Sequence, residues 1–192
     1  MPKEYEYTFQ NFNKNKIIAK LKKLNGIYKG TFLFKVQQFY PPNGIPSNIN
    51  IRVRDEGYRV TMTIKIPTED FDDEYEIIID DFNNGINWLL SLGYTKMVYY
   101  EKVREIYYVK APNWNELNSR PLWNESNSRP LWNEYSEIVF DTEEGFPEIM
   151  EIESPTFEEL EKMVKIFGLH NGGINIQKNN DYIELSILLL SI

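Results

Sequence analysis

The chain has 192 residues, long enough for one domain with a sizeable core, and its aromatic content of 15% argues against disorder. Its net charge of −8 argues against a general nucleic-acid binder, because such proteins usually carry a basic surface. The absence of Cys excludes disulfides and thiolate metal sites, and the single His, His170, excludes multi-histidine zinc sites.

The first half of the chain is predicted to form five strands and two helices. A strand over residues 3–9 alternates acidic and aromatic side chains. An amphipathic helix over residues 14–24 follows and ends before Gly26. Four more strands are predicted at residues 32–40, 49–54, 58–66 and 72–79. A second helix over residues 84–92 ends at Gly93.

A nine-residue repeat interrupts the strands of the second half. A long strand over residues 97–109 precedes WNELNSRPL and WNESNSRPL, and a third copy begins at Trp132. Solenoid repeats are roughly 20–50 residues long, so this repeat predicts a loop insertion at about residues 112–135 rather than a repeat fold. A binding role for its Trp side chains is the alternative. Two further strands are predicted at residues 136–141 and 148–153.

A third helix follows the last of these strands. Its apolar stripe consists of Phe157, Leu160, Met163, Val164 and Phe167. Either Ser154 or Thr156 is predicted to cap its first turn, and Gly168 to end it. His170, just after this glycine, is predicted to be a loop residue rather than a catalytic one. Residues 181–192 fit a helix or a strand.

Residues of like charge share one face of most predicted strands, because side chains alternate between faces with a period of two. The acidic sets are Glu4 and Glu6, Glu74 and Glu76, Glu137 and Asp141, and Glu151 and Glu153. The basic sets are Arg52 and Arg54, Arg59 and Lys65, and Lys102 and Arg104. A solvated sheet face is one interpretation, and residues 69–74 can be read as a simple acidic surface run.

A closed barrel with outer helices and a charged lumen explains the repeated like-charged pairs better. Buried like charges are costly unless a counter-charge neutralises them. The acidic pairs indicate divalent cations that prefer oxygen ligands, such as Mg²⁺ or Mn²⁺. The basic pairs indicate a polyanion, and Arg is well suited to phosphate oxygens. A metal-bound polyphosphate would neutralise both sets.

The segments EYEYTF, IRVRDEG, TMTIK, EYEIIID, YYEKVRE, IVFDTEEGFPEIMEIES and DYIEL resemble the CYTH, or triphosphate tunnel metalloenzyme, superfamily. That group includes thiamine triphosphatases, inorganic triphosphatases, class IV adenylate cyclases and metal-dependent RNA triphosphatases. The resemblance covers nearly the whole chain except the Trp repeat. It implies one α+β domain over residues 1–192, built as a closed eight-stranded antiparallel β tunnel barrel with helices packed outside.

The resemblance also implies roles for individual residues. It implies that Mg²⁺ or Mn²⁺ is bound by Glu4, Glu6, Glu151 and Glu153. It implies that substrate phosphates are bound by Arg52, Arg54, Lys65, Lys102 and Arg104. Its inward carboxylates correspond to Glu74, Glu76 and Asp141, of which Glu76 or Asp141 is expected to orient the attacking water. Thr8 stands where the family has a lysine, and Lys3, Lys35 or Arg59 could compensate for it.

Three functions are compatible with these residues. The first is divalent-metal-dependent hydrolysis of inorganic triphosphate, thiamine triphosphate or a nucleoside triphosphate. The second is a class IV-type cyclase that makes cyclic AMP and pyrophosphate from ATP. The third, kept open by Thr8, is non-catalytic binding of a phosphorylated ligand or nucleotide.

All three functions imply a small-molecule triphosphate or nucleotide as the partner, with a homodimer as one option for assembly. No apolar run approaches the length of a membrane span, and the charged N-terminus has no signal-peptide core. We therefore expect a soluble, cytoplasmic protein with no membrane partner and no general nucleic-acid binding.

Overall fold

The structure, a computed structural model, describes residues 5–110 and 135–169. The strands are β1 (Tyr5–Phe9), β2 (Ile27–Tyr40), β3 (Asn50–Asp55), β4 (Val60–Ile66), β5 (Asp73–Ile79), β6 (Thr95–Val109), β7 (Ser136–Thr142) and β8 (Ile149–Ser154). The helices are α1 (Lys14–Lys23), α2 (Phe82–Ser91) and α3 (Phe157–Phe167). The predictions for Lys3, Glu4, the Trp repeat, His170 and residues 181–192 lie outside the described residues.

Three elements begin earlier than their patterns predict, and the smallest change in a strand is at β6, which starts at Thr95 rather than at residue 97. Strand β2 starts at Ile27 rather than at residue 32, because a bulge between Tyr28 and Gly30 interrupts the alternation. Helix α2 starts at Phe82, and the Asp81 side chain caps it by accepting a hydrogen bond from the backbone N–H of Asn84 at 2.8 Å.

The N-terminal cap of α3 is Thr156. Its Oγ1 accepts a hydrogen bond from the backbone N–H of Glu159 at 3.2 Å. The first candidate for this cap, Ser154, is wrong, because this residue ends β8 and its hydroxyl lies 2.8 Å from the hydroxyl of Ser136. Gly168 ends the helix as predicted, with a left-handed φ of 66°.

All eight strands belong to one antiparallel sheet with the order β1-β8-β7-β6-β2-β3-β4-β5. The sheet curls, and the ring of Phe71, just before β5, lies 5.1 Å from the ring of Tyr5 on β1. Within the described residues no hydrogen-bonded ladder joins β1 to β5. The prediction of one eight-stranded antiparallel sheet with outer helices is therefore confirmed, whereas its predicted closure is not, because the described sheet is open at this seam.

The helices cover the convex face of the sheet, as predicted. Helices α1 and α3 pack on β1, β7 and β8 through a core that includes Leu21, Met150 and Leu160. Helix α2 packs on β3 and β4. A Cβ on Gly85 would lie 2.4 Å from Cδ1 of Ile79, so the absent side chain permits this close approach. The apolar faces of these strands are thereby buried, and their charged faces turn to the concave side.

Part of the concave face is apolar, which the charge pattern did not predict. Its cluster consists of Phe34, Ile106, Tyr108, Tyr135 and Val139. These residues lie on β2, β6 and β7 or next to them, at positions that alternate with the outward-facing ones. In the part of the chain that the structure covers, no helix is both long and apolar enough to cross a membrane.

Candidate active site on the concave face

The concave face collects buried charges from most of the strands. Arg54 on β3, Arg104 on β6 and Asp141 on β7 are each less than a tenth exposed. The guanidinium groups of Arg54 and Arg104 lie 5.6 Å and 5.3 Å from the same ring, that of Phe34. The curl of the sheet therefore brings distant strands to one site. Charges buried in this way need partners, and they form three ionic clusters.

The first cluster joins β6, β7 and β8. Arg104 donates from Nε to Oδ1 of Asp141 at 2.7 Å, and Lys102 Nζ lies 2.6 Å from Oδ2 of the same carboxylate. Arg104 Nη2 also lies 2.5 Å from Oε2 of Glu151. Burial by itself would raise the pKa of Asp141, but the charges of Arg104 and Lys102 outweigh it and hold that pKa well below its usual range. Burial would likewise raise the pKa of Glu151, but the charges of Arg104 and Lys102 outweigh it and lower that pKa.

The second cluster lies on β3, β4 and β5 around Glu74. Oε2 of Glu74 lies 3.2 Å from Lys65 Nζ and 3.7 Å from Arg52 Nη2. Burial would raise the pKa of Glu74, but the charges of Lys65 and Arg52 lower it to about 2. Glu74 is therefore ionised and paired rather than part of an acidic surface run.

The third cluster, which we call the clamp, consists of Arg54, Glu56, Arg59 and Glu76. Glu56 lies 2.8 Å from Arg54 Nη2 through Oε1 and 2.6 Å from Arg59 Nε through Oε2. Glu76 lies 2.8 Å from Arg54 Nη2 through Oε2 and 3.1 Å from Arg59 Nη2 through Oε1. Two carboxylates thus hold two guanidinium groups side by side.

Carboxylates also line up across β1, β8 and β7. Glu6 stands opposite Glu153, and Glu153 stands opposite Glu137. Directly opposed residues are neighbours on one sheet face, so these oxygens suit a hard cation such as Mg²⁺. Within the described residues, no group of three or more acidic side chains already converges as a metal site. Glu4, the remaining predicted ligand, lies outside those residues.

Neither a family model nor a curated protein sequence matches this chain, but solved structures do. A Pyrococcus horikoshii protein aligns with a TM-score of 0.61 and 20% identity over 88% of this chain and 93% of that one. A Vibrio parahaemolyticus protein provisionally named an adenylate cyclase aligns with a TM-score of 0.66 and 15% identity, covering 89% and 91%. A Hippeastrum protein, provisionally named an adenylyl cyclase and described as having a dominant triphosphatase activity, aligns with a TM-score of 0.50 and 16% identity, covering 86% and 88%.

This chain shares its fold with these solved structures. The resemblance inferred from the sequence motifs is thereby confirmed at the level of the fold. Of the residues predicted to act in this fold, all except Glu4 lie within the described residues and on the concave face. Their roles toward a metal and a phosphate remain predictions.

Thr8, which the motif resemblance aligns with a lysine of CYTH proteins, is buried opposite Glu151 in the β1–β8 ladder. Three residues are predicted substitutes for that lysine. Lys3 lies outside the described residues. Lys35 stands opposite Asp55 and Glu101 on the convex side, since its neighbour Phe34 points to the concave one. Arg59, in the clamp, is the only one of the three that the described structure places at the site.

Glu56 was not among the predicted site residues, and Arg59 was predicted only as a charged lumen residue and a substitute for the lysine absent at Thr8. Arg59 carried a usable signal, because it shares a strand face with Thr61, Thr63 and Lys65. Glu56 carried no such sequence signal, because it lies in the turn between β3 and β4, where strand alternation does not fix the side-chain direction.

Proposed function

We propose that this chain is a divalent-metal-dependent hydrolase of a small molecule that carries a triphosphate. The observation that carries the proposal is the set of largely buried cations on the concave face of a CYTH-type fold. The set consists of Arg52, Arg54, Lys65, Lys102 and Arg104. Guanidinium and ammonium groups of this kind suit phosphate oxygens. The triphosphatase activity described for the Hippeastrum protein supports the same reaction here.

In this proposal the basic side chains bind and orient the triphosphate. Water attacks the terminal phosphorus, the bond from that phosphorus to its bridging oxygen breaks, and phosphate leaves the shortened substrate. Glu76 or Asp141 would orient the water. Mg²⁺ or Mn²⁺, when bound, supplies further charge neutralisation, and it would be held by Glu4, Glu6, Glu151 and Glu153. Closure of the tunnel between β1 and β5 around the substrate is part of the proposal.

Two observations favour other functions. Neighbours from Vibrio parahaemolyticus and Bacillus halodurans are provisionally named adenylate cyclases, which favours attack of the ATP 3′-hydroxyl on the α-phosphorus with release of pyrophosphate. Thr8 favours a protein that binds a phosphorylated ligand without turnover, because a neutral hydroxyl supplies neither the charge nor the acidity of an ammonium group.

The test is to incubate the pure protein with tripolyphosphate, thiamine triphosphate or ATP, in Mg²⁺ or Mn²⁺, and to follow the products by ³¹P NMR. Glu151→Gln removes a predicted metal ligand and is expected to abolish turnover. Glu158→Gln is the matched control, because Glu158 forms an exposed ion pair with Lys162 on α3, away from the site.

Metal-dependent release of phosphate that is lost in Glu151→Gln but kept in Glu158→Gln would support the hydrolase. Cyclic AMP with pyrophosphate would support the cyclase instead. Metal-dependent binding of these compounds without any product would support the binding protein. Near-normal turnover in Glu151→Gln would rule out the proposed site.

A further inference from the structure

The clamp contains a carboxylate that is held as a phosphate would be held. Each Glu76 oxygen accepts from a different arginine, at 2.8 Å from Arg54 Nη2 and at 3.1 Å from Arg59 Nη2. Thr63 Oγ1 lies 3.3 Å from Oε2 of Glu76 and donates to it. A phosphoryl group is the other common anion that guanidinium groups bind through several oxygens at once.

The two acids of the clamp differ in how firmly they are held. The Glu56 side chain is 1% exposed, and Arg59 donates to it from both Nε and Nη2. Its own backbone N–H donates to the Arg59 carbonyl at 2.9 Å, so Glu56 is fixed by the turn between β3 and β4, which also carries Arg59. The Glu76 side chain is 14% exposed and stands on β5, which pairs only with β4 in the described sheet. Moving the Glu76 carboxylate away from the arginines should therefore cost less free energy than moving that of Glu56.

Unused donors lie in the same part of the concave face. Arg54 Nε and Thr61 Oγ1 are buried and have no hydrogen-bond partner among the described residues. Thr61 stands opposite Arg54 in the β3–β4 ladder and is fully buried. Buried donors without acceptors are rare in folded proteins, and a ligand with several acceptor oxygens would satisfy them.

The geometry points to an anion-binding position between Arg54 and Arg59 that the Glu76 carboxylate fills in this structure and that a phosphoryl group of the substrate takes over by displacing it. Arg59 is then a phosphate ligand, Glu56 is the residue that positions both arginines, and Glu76 is an internal competitor of the substrate. This inference rests on the binding step of the proposed function.

Phosphate affinity is expected to change in opposite directions for two acid-to-amide substitutions within the clamp. Glu76→Gln removes the charge of the competitor and is expected to tighten phosphate binding by roughly tenfold. Glu56→Gln weakens the support of both arginines and is expected to loosen binding by a similar factor. Arg59→Lys keeps the charge but loses the planar fork, and it is expected to loosen binding as well. Tighter binding cannot result from partial unfolding, so Glu76→Gln remains informative where another variant folds poorly.

The experiment is isothermal titration of the full chain with imidotriphosphate, a tripolyphosphate analogue with P–N–P links, in Mg²⁺. The analogue is not hydrolysed, so any part that Glu76 has in turnover does not enter the measurement. Glu158→Gln serves as the matched control, because it removes one negative charge from an exposed ion pair. Thermal unfolding of each variant is measured beside it.

Tighter binding in Glu76→Gln, weaker binding in Arg59→Lys and unchanged binding in Glu158→Gln would support the inference. If the wild type binds the analogue and hydrolyses tripolyphosphate but Glu76→Gln binds no more tightly, the clamp inference is overturned and the proposed function stands. If the wild type does not bind the analogue, the clamp inference is overturned, and the proposed function falls with it only if none of tripolyphosphate, thiamine triphosphate and ATP is hydrolysed.

Discussion

Arg104 on β6 and Glu151 on β8 form an ion pair across the strand that separates them, with Arg104 Nη2 2.5 Å from Glu151 Oε2. The same guanidinium donates to Asp141 on the intervening strand β7. One side chain thus ties three adjacent strands together on the concave face. This requires two donor nitrogens in a fixed plane, which Arg has and Lys lacks.

Arg104→Lys is therefore expected to destabilise the protein although it keeps the charge. A lysine cannot pair with Asp141 and Glu151 in the same geometry, and a lost hydrogen bond to a charged group costs about 1.5–3 kcal/mol. The measurement is the free energy of unfolding from urea denaturation. Arg52→Lys is the matched control, because the ion pair of Arg52 with Glu74 is long, at 3.7 Å, and is its only ion pair among the described residues; a loss in this control equal to that of Arg104→Lys would contradict the prediction.

The pairing of Glu74 with Lys65 and Arg52 predicts a specific acid sensitivity. The pKa of Glu74 is lowered to about 2 from an ordinary value of 4.5, so the ionised form stabilises the fold. That contribution is complete above pH 4.5 and is lost as the pH falls toward 2.

Glu74→Gln should accordingly be less stable than the wild type at neutral pH, and the difference in melting temperature should shrink on acidification. Melting curves recorded at several pH values from 6 to about 2.5 test this. A difference that stays constant over this range would show that the ionisation of Glu74 does not stabilise the fold.

Thr8→Lys is expected to raise metal-dependent hydrolysis of tripolyphosphate by at least about tenfold, because it adds a cation to a buried position beside the proposed substrate. The new ammonium group would also face Glu151 across the ladder. Steady-state kinetics should show the gain in kcat. Thr8→Met, of similar length but uncharged, is the control, and an equal gain there would show that charge is not the cause.

Thr156→Ala is expected to lower the free energy of unfolding by about 1 kcal/mol, because the first turn of α3 loses its side-chain cap. Thr156→Ser keeps the hydroxyl and should be nearly neutral. Chemical denaturation of the two variants separates the hydrogen bond from the effect of the methyl group. Equal losses in both would contradict the role of the cap.

Local features of the sequence determined where the helices and strands lie and which face of the sheet carries the charged side chains. The alternation of Glu151 and Glu153 with apolar residues predicted both the strand and the face that carries the charges. The Gly after the apolar stripe predicted the end of α3. These predictions succeeded because the period of two in a strand, and of about 3.6 in a helix, follows from backbone geometry within one segment.

Only the tertiary structure decided which charges meet. Strand order and register bring the Arg104 guanidinium into contact with both Asp141 and Glu151. They bring the Arg54 guanidinium into contact with both Glu56 and Glu76. They also place Phe34 beneath the two arginines and leave the sheet open between β1 and β5 in the described residues. These relationships depend on contacts between distant segments, which no local period encodes, and on side-chain directions in turns, which strand alternation does not set.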